Sequence, residues 1–87
     1  MNTLQILHFY ADWCGPCKLY EPILKQIQRD IDIEMLHVNI ELNPEFADEF
    51  GILSIPTLVF LKDNKEVKRS VGLLSYNELL SVIKEVR

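Results

Sequence analysis

The chain has 87 residues, of which 48% are hydrophobic and 25% charged, and its formal net charge is −4. That length accommodates one domain over residues 1–87, with a thin core that all its helices and strands must share. The acidic balance and the lack of a basic run exclude nucleic acid and anionic membrane as main partners, since both are bound largely through clustered Lys and Arg.

Met1 to Tyr10 has no Lys or Arg and no small-residue cleavage pattern, so it does not read as a signal peptide. No apolar run approaches the roughly 20 residues that span a bilayer. A cytoplasmic protein is the expectation.

Leu4 to Tyr10 is apolar apart from Gln5 and His8 and reads as a buried strand. Ala11 to Pro16 reads as a turn. A helix should follow, because Tyr20, Ile23, Leu24, Ile27 and Ile31 recur at steps of three and four. Pro22 interrupts that pattern and should kink it. Glu34 to Glu41 is rich in Met, Leu, Val and Ile and predicts a second strand. Asn43-Pro44 should open a short helix, with Asn43 as N-cap, Phe46, Ala47 and Phe50 facing inward, and Gly51 as the stop. Thr57 to Lys62 and Lys65 to Val71 flank an Asp63-Asn64 turn and should pair as a hairpin. The charged residues around this turn read as a solvated face. Ser75-Tyr76-Asn77-Glu78 is a capping box. The helix behind it carries the stripe Tyr76, Leu79, Leu80, Ile83 and Val86. The order is βαβαββα, with the first two strands parallel through a right-handed crossover.

The chain has only two cysteines, in the run Trp13-Cys14-Gly15-Pro16-Cys17-Lys18, between the first strand and the first helix. Residues three apart on a helix are neighbours, so the sulfurs can form a reversible bridge. Cys14 falls at the helix N-terminus, where backbone N–H groups and the helix dipole favour the thiolate. Cys17 falls one turn inside and is expected to be the more buried. Cys14 would attack a substrate disulfide, and Cys17 would then attack Cys14 and release the reduced product. A structural disulfide is a weaker reading, since so small a loop constrains the unfolded chain little. Zinc needs four ligands, and His8 and His37 do not stand at the spacing of such sites. No metal is expected. A C-x-x-C beside a βαβ unit is a recognised sign of thioredoxin-like redox chemistry.

These residues resemble the thioredoxin family. Phe9-Tyr10-Ala11-Asp12-Trp13-Cys14-Gly15-Pro16-Cys17-Lys18 is similar to its active-site segment, and Pro22 to the proline of its long helix. Gly51-Ile52 with Ile55-Pro56-Thr57 is similar to the segment ending in its cis-proline, and Val71-Gly72 to a pair lining its substrate groove. The resemblance covers nearly the whole chain. It implies a thioredoxin-like α/β fold with a four-stranded mixed sheet in the order 2-1-3-4. It also implies a reductase of protein disulfides that needs no bound cofactor, acts as a monomer and receives electrons from a flavoprotein reductase. Pro56 should be cis, and Ile55 should offer backbone hydrogen bonds to an extended substrate. Trp13, Gly15, Pro16, Ile55, Pro56, Val71 and Gly72, with Leu73 beside them, should form an apolar patch around Cys14.

The sequence departs from the family in three places. The strand and helix that usually precede the first strand here are not matched, so the second strand is expected to be an open edge. A dimer through Glu34 to Asn39 is the alternative to the monomer. His8 stands where the family keeps a buried aspartate, and His37 where it keeps a lysine. His8 is therefore a candidate for moving the proton of Cys17, since imidazole titrates near neutrality. The competing reading is two histidines that merely pair in a polar pocket. Two rival functions remain: a glutaredoxin-like enzyme reduced by glutathione, and a redox-inactive binding subunit. The Trp-Cys-Gly-Pro-Cys run and the lone Gly72 count against the first, and the intact cysteine pair counts against the second.

Overall fold

Leu4–Tyr10 form the strand β1, and its two neighbours determine the architecture. The computed structural model of the protein describes residues 3–87. After β1 come α1 (Gly15–Asp30), β2 (Glu34–Asn39), α2 (Pro44–Glu49), β3 (Thr57–Lys62), β4 (Lys65–Val71) and α3 (Tyr76–Val86). The strands form a four-stranded sheet in the order β2-β1-β3-β4. β1 pairs parallel with β2 and antiparallel with β3, and β3 pairs antiparallel with β4. The expected topology is present, with β2 at an edge among the described residues.

Alternation along β1 feeds two separate cores. Ile6 joins Tyr20, Leu24 and Ile27 of α1, Leu58 and Phe60 of β3, and Leu79 and Ile83 of α3. Leu7 and Phe9 point to the other face and join Val38, Ala47, Val59 and Leu61. The helices α1 and α3 thus cover one face and α2 the other. A strand buried on both faces reads as a nearly continuous apolar run, as this one does.

Local chemistry accounts for the boundaries. β2 stops at Asn39, two residues short of the predicted Glu41. The Asn39 side-chain oxygen accepts from the backbone N–H groups of Glu41 (2.9 Å) and Leu42 (3.4 Å), which turns the chain. Asn43 occupies the N-cap position of α2, but its side chain makes no cap bond. Its amide instead donates to the Asn39 carbonyl at 3.1 Å. Gly51 follows that helix with φ of 62°, the left-handed conformation that suits glycine. The helical stretch of α1 runs through Pro22.

In the β3–β4 turn, Asp63 and Asn64 both have positive φ, 53° and 67°. This geometry matches the twist of a two-residue hairpin. A bulge between Phe60 and Leu61 was not legible in the sequence. The capping box is complete, with Ser75 Oγ accepting from the Glu78 N–H at 3.2 Å and the Glu78 carboxylate from the Ser75 N–H at 2.9 Å. Tyr76 Oη then donates to Asp30 at 2.6 Å, tying the start of α3 to the end of α1.

Candidate active site

The end of β1, the start of α1 and the loops before β3 and after β4 converge on the two cysteines. Cys14 and Cys17 are joined by a disulfide, with their Cα atoms 5.2 Å apart. Cys14 is the N-cap of α1, and its Sγ accepts from the Cys17 N–H at 3.2 Å. The sulfur therefore occupies the place of a capping side-chain oxygen, facing the positive end of the helix. The thiolate that appears on reduction is stabilised by the same N–H and dipole. Cys17 is not the more buried of the two, since Cys14 is 4% and Cys17 5% exposed. Both sulfurs are sheltered by Ala11, with Tyr10, Ile40 and Ile55 packed around them.

The other predicted residues divide between surface and support. Trp13 is 66% and Val71 63% exposed, and Leu73 is also exposed, so none is core. Gly15 and Pro16 are exposed on the first turn of α1, and Gly72 is half-buried. Ile55 is half-buried against the disulfide. The Ile55-Pro56 bond is cis, as the resemblance implied. Pro56 itself is buried, so it shapes the loop rather than adding surface. Its carbonyl accepts from the Gly72 N–H at 2.8 Å, which draws the loop after β4 to its side. The Thr57 hydroxyl donates to the Ser54 carbonyl at 2.7 Å and closes the turn from the other end.

The parallel register sets His8 opposite His37. Their Nδ1 atoms lie 2.9 Å apart, so one ring donates to the other. His8 is only 4% exposed, stacked on Tyr10 and edge-on to Tyr20. Among the described residues its buried Nε2 has no hydrogen-bond partner. Burial, with a smaller contribution from His37, pushes the His8 imidazole down to about 4, and Glu21 pulls weakly the other way. His8 is thus neutral at physiological pH. His37 is exposed, and desolvation of its ring still lowers its pKa, with Glu21 opposing and Lys25 assisting.

A cleft of about 380 Å³ joins these groups, and His8, Cys17, Glu21, Lys25 and His37 all line it. Cys17, Glu21 and Lys25 stand four residues apart on α1 and so share a face. That spacing, read from Cys17, is the signal that could have found Glu21 and Lys25. Ile40 and Tyr20 carried no such signal, since their places depend on strand register and helix packing. Among the described residues no cluster suited to a metal ion is present, and no helix is long and apolar enough to cross a membrane.

The family model for thioredoxin matches residues 1–85. A thioredoxin from Chlamydia muridarum is 41% identical over 83 residues, covering 94% of this chain and 81% of its own. One from Mycobacterium tuberculosis is 40% identical over 87 residues, covering 98% of this chain and 75% of its own. A malaria-parasite thioredoxin-2, described as a component of protein secretion machinery, superposes with a TM-score of 0.92 at 30% identity, over 97% of this chain and 84% of its own. Fasciola hepatica thioredoxin gives a TM-score of 0.92 at 32% identity, over 98% and 82%. With a cysteine pair held at a helix N-terminus beside a cis-proline, and matches of this extent, the chain belongs to the thioredoxin family and is a thiol–disulfide oxidoreductase that reduces protein disulfides.

Proposed function

We propose that Cys14 is the attacking and Cys17 the resolving sulfur, within a single thioredoxin-like domain spanning residues 1–87. The observation that carries this assignment is the Cys17 N–H directed at Cys14 Sγ. In the reduced protein that donor and the helix dipole favour a thiolate at Cys14 over one at Cys17. Cys14 Sγ attacks one sulfur of the substrate disulfide, and the other sulfur leaves as a thiolate. Cys17 then loses its proton and attacks Cys14 Sγ. This step closes the Cys14–Cys17 bond and releases the second substrate thiolate. His8, neutral and bordering the same cleft as Cys17, receives the Cys17 proton.

Trp13, Gly15, Pro16, Ile55, Val71 and Gly72 form the docking surface, shaped by Pro56. The exposure of Trp13 and Val71 supports it, because large apolar groups left in water suit an extended protein segment. The oxidised pair is recharged by a flavoprotein reductase in the cytoplasm, and the protein acts as a monomer.

Trapping tests the division of labour. Cys17→Ser is expected to accumulate a mixed disulfide through Cys14, visible by intact-mass spectrometry, and Cys14→Ser to accumulate none. A stable adduct on Cys17 in the Cys14→Ser protein would reverse the roles. Recharging by a thioredoxin reductase, with little turnover on glutathione, is expected. The opposite preference would make the protein glutaredoxin-like in its electron supply.

A further inference from the structure

We propose that His8 and His37 form a two-imidazole relay that carries the Cys17 proton to solvent during resolution and returns one when the disulfide is reduced. The proposal rests on the reading of His8 as the acceptor of that proton and adds to it the outlet and the reset.

His8 is walled in by Tyr10 and Tyr20, while His37, joined to it through Nδ1 at 2.9 Å, is exposed. The unpartnered Nε2 of His8 is buried, and the ring borders the cleft shared with Cys17. The two ends of the pair thus differ, one ring buried at the cleft that Cys17 also lines and the other exposed.

Basicity supplies the reason for two rings. An imidazole that protonates only near 4 is a poor acceptor for a thiol proton if it must carry the charge alone. That cost disappears if His8 releases its Nδ1 proton as its Nε2 receives one. Cys17 Sγ–H gives its proton to His8 Nε2, His8 Nδ1–H gives one to His37 Nδ1, and His37 Nε2–H gives one to water. One proton enters and one leaves, the charge stays off the buried ring, and Cys17 attacks as a thiolate. Of the charged groups that border the cleft, Glu21 favours the transient His37 imidazolium, whereas Lys25 opposes it and Lys18 adds to the positive side. Asp12 is acidic and Tyr10 and Tyr20 are phenols on the remaining sides.

Afterwards both rings hold the opposite tautomer. Reduction of Cys14–Cys17 generates a Cys17 thiolate that needs a proton, and the same path run backwards supplies it and restores the first tautomers. The hydrogen bond between the rings therefore reverses direction with each half of the cycle.

The test follows two steps separately. The fully reduced protein is mixed with a symmetrical nitrothiobenzoate disulfide, whose released thiolate absorbs visible light. The first release reports attack by Cys14 and needs no proton from Cys17. The second reports attack by Cys17. His37→Gln can keep a hydrogen bond to His8 but cannot pass a proton, and it is expected to slow the second release about tenfold or more. His37→Gly should slow it too, and added free imidazole should restore the rate in that variant, because the vacated place stands in reach of solvent. His8→Gln should slow the second release at least as much, without rescue. If His37→Gln leaves the second release unchanged while His8→Gln slows it, the relay is wrong and His8 acts alone. If neither slows it, the role of His8 fails too. A slowed His37→Gly that imidazole cannot rescue also overturns the relay, since His37 then only positions His8. Nitrogen chemical shifts give an independent check, since the protonated nitrogen of His8 should change between the oxidised and reduced protein, and an unchanged tautomer contradicts the reset.

Discussion

The two faces of β1 solve opposite problems with adjacent residues. Leu7 and Phe9 enter a core toward α2, where Phe9 meets Phe46 and Phe50 at ring distances of 5.9 and 5.7 Å. His8, between them, turns to the α1 side and carries a buried polar ring next to the redox centre. The apolar face gains stability from every group it removes from water. The polar end of the other face gives some of that up, since burying an imidazole with one unpartnered nitrogen is unfavourable. The cost of a buried polar ring is thus borne at the cleft that Cys17 lines, not in the aromatic core under α2.

Phe9→Ala removes a fully buried ring and is expected to cost about 3–5 kcal/mol, read from urea unfolding. A loss under about 1 kcal/mol would mean that the α2 face does not anchor the sheet.

The polar side is tested by pH. In the folded protein His8 protonates near 4, against 6.5 for the ordinary group. Between those values the unfolded chain binds a proton that the folded protein refuses. Stability therefore falls as the pH drops through that window, by roughly 2–3 kcal/mol from this group alone. His8→Leu should flatten this part of the profile and leave only what the carboxylates contribute. Equal slopes in the two proteins, measured by urea midpoints from pH 7.5 to 4.5, would contradict the burial of a neutral imidazole.

The smallest stability effect belongs to the exposed rim. Trp13→Ala should change stability by less than about 0.5 kcal/mol, because the ring is 66% exposed. It should still raise KM for protein disulfides more than for a small disulfide. Equal effects on both substrates would remove Trp13 from the docking surface.

Much of this was legible beforehand. The turn at Asp63-Asn64, the capping box at Ser75 and the 3.6-residue periodicity of α1 are local patterns, and local patterns survive folding when the core agrees with them. The cysteine pair and the cis bond before Pro56 followed from the motif and the resemblance. What stayed hidden depends on contacts between distant parts of the chain. The end of β2 was misplaced because the Asn39 side chain competes for backbone N–H groups, and nothing in the apolar pattern of Ile40 and Leu42 shows that. The equal burial of Cys14 and Cys17 goes with Ile40 and Ile55 packing against the cluster that the cysteines form with Ala11. The direct bond between His8 and His37 required the parallel register of β1 and β2.

Equilibration with glutathione buffers over a range of pH tests whether Cys14–Cys17 is poised to reduce protein disulfides. A reduction potential well below a cytosolic glutathione poise of about −220 to −260 mV is the result expected of a reductase. A potential at or above that poise would contradict it, and the pair would then act as an oxidant or isomerase on a thioredoxin fold.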